Sequence, residues 1–140
     1  MKQYTQEAID SANLAIKTAV PYLKDELKGT WIRPVETSKE QIIATLEKIE
    51  DSGFNNIYLE TYFHGKTIFP SKTMNKHGFT VQNETFEGFD PLEIWIKEAH
   101  KRNIKVHIWF ETFYVGNKNP KNYSNYILSI RPSWTNLPKN

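Results

Sequence analysis

The chain has 140 residues, of which 39% are apolar, 14% are aromatic and 24% are charged. This length suits one domain with a real core, and the many aromatic residues with a net charge of only +2 argue against disorder. Cysteine is absent, which excludes disulfides, thiolate metal sites and cysteine nucleophiles. No apolar run is long enough to span a membrane, and the amino terminus shows no signal-peptide pattern. The interspersed positive and negative charges argue against a dedicated nucleic-acid binder.

Two helices and a strand are predicted in the first part of the chain. Apolar residues at helical spacing predict a helix over residues 5–27, which Pro21 kinks or divides. A short strand is expected at residues 30–33. Ser38 with a glutamine three residues later forms a capping box, so the next helix begins there. Gly53 suits the left-handed position that ends this helix.

The remaining chain continues to alternate strands with helices. Residues 56–62 predict a strand, and residues 63–89 predict a long polar and aromatic loop of a kind that is usually functional. Asp90, followed by proline and then glutamate, marks the start of another helix. The third strand covers residues 104–110, and a short helix is expected within residues 123–130. This order predicts parallel strands with right-handed crossovers.

The two faces of the predicted strands differ in character, because side chains along a strand alternate between faces. Ile57, Leu59, Val106 and Ile108 form an apolar face that suits helix cover. The opposite face carries polar and aromatic side chains: Tyr58, Glu60, Tyr62, His107, Trp109 and Glu111. Strands buried on both sides are apolar on both faces, so this pattern favours the interior of a (β/α) barrel near its active site. Three strands cannot close such a barrel, so the chain is either a fragment or an open sheet.

Glu60 and Glu111 are expected at neighbouring strand ends and form the strongest candidate catalytic pair. Two carboxylates flanking a glycosidic bond act as acid and nucleophile, or as acid and base. The alternatives are that each one pairs with a lysine or arginine, or accepts a hydrogen bond from a substrate hydroxyl. Arg33 is expected to point into the same pocket, where it binds substrate or forms an internal ion pair with Glu60.

Histidine residues contribute hydrogen-bonding groups to the expected pocket. His64 begins the long loop and His107 lies in the third strand. Neither has the spacing of a metal site, and no metal is expected.

Aromatic residues near the strand ends offer flat rings that stack on sugars. We expect Tyr62, Trp109 and Tyr114 to line the pocket in this way, with core packing as the alternative. Core packing is the expectation for Phe63 and Phe113, whose parity is opposite to that of the pocket residues.

Two other kinds of function remain open. One is a non-catalytic α/β module that binds glycan or a partner chain. The other is a small open α/β domain that binds phosphate at a helix amino terminus such as that at Ser38. The glycine-rich nucleotide fingerprints and the serine nucleophile elbow are missing from the sequence, which argues against the second.

Six motifs in order resemble the bacterial glycosyl hydrolase-like 10 family, and a further similar stretch at residues 124–134 extends the resemblance over residues 29–134. They are GTWIRP at 29–34, GFNNIYLE at 53–60, FPS at 69–71, GFDPL at 88–92, EAHKR at 98–102 and HIWF at 107–110.

The resemblance implies a (β/α)8 TIM barrel that acts on O-glycosidic bonds of polysaccharide, without a cofactor. Cell-wall glycan such as peptidoglycan is the implied substrate, and the cell envelope is the implied location. Many members carry Gln in place of Glu60 and Asn in place of Glu111, so the resemblance assigns these two positions to substrate binding more than to acid catalysis.

The family's candidate catalytic aspartate lies on a fourth strand, beyond residue 140. We therefore expect a helical segment at residues 1–28 and the first three βα units of an incomplete barrel at residues 29–140. Alone, this chain is expected to lack activity and to expose a sheet edge that favours self-association.

Overall fold

The computed structural model describes residues 2–19, 26–115 and 127–134. The described helices and strands follow one another in this order: α1 Lys2–Ala19, β1 Gly29–Ile32, α2 Lys39–Asp51, β2 Asn56–Phe63, β3 Lys66–Thr67, α3 Lys72–Lys76, α4 Pro91–Lys101, β4 Lys105–Phe110 and α5 Ile127–Ile130. Single 3₁₀ turns occupy Glu84–Phe86 and Pro132–Trp134. None of the helices in these ranges combines the length and hydropathy needed to span a bilayer.

The sheet is open and mostly parallel. β1 and β4 pair with β2 in parallel, and β3 pairs antiparallel with the end of β2. The predicted mixed α/β fold with parallel strands is thus confirmed, and it is consistent with part of a TIM barrel. The central position of β2 places its side chains between those of β1 and β4.

The helix ends follow the signals in the sequence. The Ser38 side chain accepts a hydrogen bond from the backbone of Gln41. The Gln41 side chain accepts from the backbone N–H of Thr37, one residue earlier than in a standard capping box. Gly53 adopts a φ of +78°, and the backbone N–H of Phe54 closes the helix end on Ile49. The Asp90 side chain caps α4 in the predicted manner.

One face of the sheet is covered by α2 and α4, which pack side by side. The core lies between these helices and the sheet, and its fully buried members include Ile42, Leu46, Ile57, Leu59 and Trp95. The helix-facing side of β4 is less covered, since Ile108 and Phe110 are about half exposed. The other face of the sheet is open and displays Trp31, Tyr58 and Trp109.

A buried carboxylate joins the two covering helices. Glu98 of α4 accepts a hydrogen bond from Lys101 at 2.8 Å and lies 3.6 Å from both Lys39 of α2 and Arg102. The hydrogen bond from Lys101 and the nearby lysine charges lower the pKa of Glu98, although burial opposes them. The ionised carboxylate therefore fastens α2 to α4.

The segment between β2 and α4, expected as a long loop, contains its own elements and turns. His64 (φ 50°) and Gly65 (φ 74°) form a tight turn with two left-handed residues, which returns the chain as β3. The Gln82 side chain donates to the carbonyls of Ile68 and Phe89, both at 2.7 Å. These bonds tie together the two ends of the excursion, which we define as residues 68–89.

The structure tests two predicted helices only in part. The described part of α1 reaches Ala19, and Leu27, the expected last residue, is not helical; Pro21 lies outside the described residues. α5 lies within the expected residues 123–130, whose first four residues also lie outside the described ranges.

Candidate functional site

Three charged side chains meet at the carboxyl ends of the parallel strands. Arg33 directly follows β1, Glu60 lies near the end of β2, and Glu111 directly follows β4. Because the three strands run in the same direction, their last residues share one edge of the sheet. This edge is where (β/α) barrels place their active sites.

Arg33 and Glu60 form a two-pronged ion pair. Arg33 donates from Nε to Glu60 Oε2 and from Nη2 to Glu60 Oε1, the latter at 2.8 Å. The Glu60 side chain is completely buried, whereas that of Arg33 remains 39% exposed. The hydrogen bond to Glu60, helped by the charges of Glu60 and Glu111, raises the pKa of Arg33 against the effect of burial. Arg33 is therefore permanently charged, and it donates hydrogen bonds to both oxygens of the Glu60 carboxylate.

Glu111 is placed differently from Glu60. Its Oε1 lies 3.7 Å from Arg33 Nη2, which makes an ion pair without a hydrogen bond. Its Oε2 is buried and has no hydrogen-bond partner among the described residues. A buried carboxylate oxygen without a donor is costly, so this atom is suited to accept a hydrogen bond from a ligand.

Aromatic rings surround the guanidinium of Arg33. Its carbon Cζ lies 5.2 Å from the ring centre of Phe63 and 5.7 Å from that of Trp31. Trp31 in turn contacts Trp109 across the sheet, with ring centres 4.9 Å apart. These contacts restrict the guanidinium to one position while the two tryptophans stay 48% and 40% exposed.

A β-bulge changes the parity of β2 before it ends. Glu60 pairs with Trp109, but Tyr62 pairs with Phe110, so Thr61 is an extra residue. The Thr61 hydroxyl donates to the carbonyl of Trp109 at 3.3 Å.

The bulge explains two differences from the parity prediction. Tyr62, expected on the face of Glu60, stacks on Phe110 with ring centres 4.5 Å apart and lies on the opposite face. Phe63, expected only in the core, belongs to the core and also contacts Arg33. The core prediction for Phe113 is wrong for another reason: this residue lies beyond the end of β4 and is 98% exposed. No local sequence signal marks the bulge. Trp31, by contrast, shares a strand face with Arg33, and that alternation indicates its place at the site.

His64 and Tyr114 lie together beside the cluster. Their rings meet edge to face with centres 5.9 Å apart, and His64 also meets the edge of Phe63 at 5.8 Å. The His64 side chain is exposed because it occupies the tight turn after β2. Both residues could therefore contact a ligand that approaches Arg33 from solvent.

His107 lies nearer the amino ends of the strands than the charged cluster does. Its ring stacks on Tyr58 at 4.8 Å, and its Nε2 lies 2.8 Å from Asn56 Oδ1. The Asn56 amide group donates to Asn55 Oδ1, which leaves Oδ1 of Asn56 as the acceptor for an N–H of His107. The structure thus gives His107 an internal partner.

The arrangement offers hydrogen-bond donors and acceptors but no metal cage. The described residues contain no group of three or more histidine, aspartate or glutamate side chains that could hold a metal ion. Arg33 supplies fixed donors, Glu111 supplies an acceptor, and the tryptophans supply flat apolar surface. This combination suits a ligand with both hydroxyl groups and an apolar ring face, as sugars have.

Comparison with known proteins gives a family and two named relatives. The sequence profile of the family described as "Glycosyl hydrolase-like 10" matches residues 6–139. Glycosyl hydrolase DigH of Escherichia coli (strain K12) is 31% identical over 78 residues, which cover 55% of this chain and 18% of DigH. Glycosyl hydrolase YngK of Bacillus subtilis (strain 168) is 25% identical over 115 residues, which cover 68% of this chain and 22% of YngK. The chain spans about a fifth of the length of each of these relatives.

Proposed function

We propose a function for this chain on one premise: the chain belongs to the glycosyl hydrolase-like 10 family, whose profile spans residues 6–139. The proposal is that it forms the first part of a glycosidase-like barrel that acts on O-glycosidic bonds of polysaccharide. Both named relatives are glycosyl hydrolases, which supports this class of reaction.

The observation that carries the proposal is the unpartnered Oε2 of Glu111 beside the fixed cation of Arg33. A sugar with one hydroxyl that donates to Glu111 and a neighbouring hydroxyl that accepts from Arg33 would satisfy both groups. Trp109 would offer its exposed ring to the apolar face of the same sugar, with His64 and Tyr114 at the outer rim. Of the two predicted catalytic carboxylates, we propose Glu111 for direct participation, since Glu60 is fully buried and both of its oxygens accept from Arg33.

The roles of two other predicted binding residues have weaker support. Tyr62 lies on the far side of the sheet from Glu60 because of the bulge. His107 lies on β4 four residues before Glu111, nearer the amino end of the strand, and already has Asn56 as a partner. We propose that these two residues contribute to the shape of the pocket through packing.

We propose that this chain by itself binds glycan without cleaving it. The exposed rings on the open face and the small share of each relative that the chain covers support this view. The division into a helical segment, residues 1–28, and a partial barrel, residues 29–140, belongs to the same proposal. Its support is that every described side chain of α1 is exposed.

Cell-wall glycan is the proposed substrate, and the cell envelope is the proposed location. Peptidoglycan strands and oligosaccharides of N-acetylglucosamine are therefore the ligands to test first. The 140-residue chain is titrated with each ligand by calorimetry, and the products are followed by mass spectrometry. Binding of at least one ligand without products supports the proposal, whereas failure of both ligands to bind would contradict it.

Catalysis is tested in a longer chain that completes the barrel. There, Glu111→Gln should lower glycan turnover at least tenfold, because it removes the carboxylate that faces the ligand. Glu98→Gln is the matched control, since Glu98 is a buried carboxylate in the helix layer. Equal turnover in the Glu111 variant and the wild type would remove Glu111 from the reaction.

A second candidate function is a non-catalytic module that binds a partner chain, including another copy of itself. The observation that favours it is the half-exposed apolar pair Ile108 and Phe110 on β4. In the described part of the sheet, β4 pairs with β2 on one side only, so its outer edge offers free backbone groups. The molar mass of the chain in solution tests this candidate.

A further inference from the structure

The two carboxylates at the strand ends are not equivalent. Glu60 has no exposed surface, and both of its oxygens accept hydrogen bonds from Arg33. Glu111 keeps part of its side chain exposed and has one oxygen without a partner among the described residues. The exposed part of Glu111 lets a ligand approach this carboxylate, and a rotation of its side chain would bring the buried Oε2 to the ligand, whereas Glu60 has neither exposed surface nor a free oxygen.

Glu60 also determines where the guanidinium of Arg33 lies. The paired hydrogen bonds fix the plane of the group, and the rings of Phe63 and Trp31 flank it at 5.2 and 5.7 Å. Nη2 of Arg33, which donates one of its two hydrogens to Glu60, also lies 3.7 Å from Oε1 of Glu111. Without Glu60, Arg33 would lose its only side-chain hydrogen bonds among the described residues, and the ring contacts alone would leave the plane of the guanidinium unfixed.

We propose that Glu60 is a positioning residue, which acts on the ligand only through Arg33, and that Arg33 and Glu111 together bind adjacent hydroxyls of an uncharged sugar unit. This inference rests on the proposed glycan function and specifies it further. Arg33 donates a hydrogen bond to the oxygen of one hydroxyl, and Glu111 Oε2 accepts a hydrogen bond from the O–H of the neighbouring hydroxyl.

The charge balance explains why the sugar unit is uncharged. Two carboxylates face one guanidinium, so the cluster is already negative overall. An acidic sugar would place a further carboxylate beside Glu111, where repulsion is strong because the site is partly buried. A neutral ring adds no charge and still satisfies the free oxygen of Glu111.

The test measures how the two residues depend on each other in the 140-residue chain. Glu60→Gln, Arg33→Met and the double variant Arg33→Met with Glu60→Met are titrated with the neutral tetrasaccharide of N-acetylglucosamine. Each single change should weaken binding at least tenfold, and the double variant should be no weaker than Arg33→Met alone. Effects that multiply would mean that Glu60 contacts the sugar independently, which overturns the proposal.

Specificity is measured with an acidic oligosaccharide of equal length, tetragalacturonate. The wild type should bind it at least tenfold more weakly than the neutral tetrasaccharide, and equal affinity would overturn the proposal. Glu98→Gln is the control for lost stability. Its thermal midpoint should fall while its affinity for the neutral sugar stays the same.

An NMR measurement separates this inference from the proposed function. The sequence has three arginines, so the Nε–Hε signal of Arg33 is readily assigned by comparison with Arg33→Met. The signal should be protected from exchange in the wild type and lost in Glu60→Gln, with or without sugar. If no glycan binds the wild type, the proposed function fails and the sugar assignment fails with it. A signal unchanged in Glu60→Gln refutes the positioning role alone.

Discussion

The tryptophans on the two faces of the sheet differ in how much of their surface is exposed. Trp95, on the helix that covers one face, has no exposed surface and lies within the main core. Trp31 and Trp109, on the other face, contact each other and still expose nearly half of their surface. The comparison indicates that the helix-covered face supplies most of the stability of the fold, whereas the open face carries the groups that can meet a ligand.

The largest expected effect on stability comes from replacing one tryptophan on each face with alanine. Trp95→Ala should lower the free energy of unfolding by about 3–5 kcal/mol, since it leaves a cavity in the core. Trp109→Ala should cost clearly less, because its ring is already 40% exposed, and it loses the contact with Trp31 and part of its burial without leaving a closed cavity. Urea unfolding followed by circular dichroism measures both. Similar losses for the two variants would show that the faces contribute equally to stability.

The second-largest expected effect is a loss of folding stability in acid, through Glu98 in the helices that cover the sheet. The pKa of Glu98 is lower in the folded chain than in the unfolded chain, so its stabilisation is present above the unfolded value of about 4.3 and disappears as the pH falls through the folded value. Urea unfolding of the wild type should therefore show a loss of stability below about pH 4.3. Glu98→Gln should be less stable at neutral pH and should flatten this acid dependence.

Glu84→Gln is the matched comparison for Glu98→Gln. Burial opposes the ionisation of Glu84, but its hydrogen bonds and charge interaction with Lys66 outweigh burial and lower its pKa. Its side chain is 55% exposed, so solvent screens the pair. The acid dependence should therefore change less in this variant, and a larger change than in Glu98→Gln would contradict the assignment of the acid-sensitive group to the helix layer.

A pair of glycine substitutions gives a smaller contrast. Gly53 has a φ of +78° and open space where a Cβ would lie, so Gly53→Ala should cost about 1–2 kcal/mol through backbone strain alone. In Gly29→Ala, the new Cβ would lie 2.7 Å from Cε2 of Tyr58, a ring on the open face that has room to move. Gly29→Ala should therefore cost less stability but shift the NMR signals of His107, which stacks on Tyr58. Unchanged His107 signals would show that the ring does not move.

The smallest expected effect on stability comes from the edge strand. Ile108→Lys should change the free energy of unfolding by no more than about 0.5 kcal/mol, because the side chain is half exposed. If copies of the chain associate through β4, the same change should lower the molar mass measured by light scattering. Ile9→Lys on α1, which is similarly exposed, serves as the control and should leave the mass unchanged. An equal response to both changes would exclude β4 as the contact.

Local signals predicted the helix ends and the strand faces, and they failed where a distant strand decides the structure. Ser38, Gly53 and Asp90 act within a few residues of their own positions, so the sequence was sufficient to identify them. The bulge at Thr61 depends on how β2 pairs with β4, and alternation alone therefore put Tyr62 on the wrong face.

The site was predictable to the extent that it follows from parallel strands. Arg33, Glu60 and Glu111 were expected near one another because strand ends converge. The sequence offered an ion pair between Arg33 and Glu60 as one alternative, but it did not show that Glu111 would keep an oxygen without a partner among the described residues. The choice of Glu60 as the partner of Arg33 depends on side-chain reach between β1 and β2, a property of the assembled sheet.

The bonds made by Gln82 have a consequence for how this architecture can diversify. One amide group joins the two ends of the excursion at its base, at Ile68 and Phe89, and β3 strengthens this anchor through the hydrogen bond from Asn83 to Thr67 and the ion pair of Lys66 with Glu84. Insertions or replacements at its tip, near α3, would leave the base and the strand register unchanged. The excursion is thus a natural place to graft loops of new length or specificity onto an unaltered scaffold, provided that residue 82 remains glutamine.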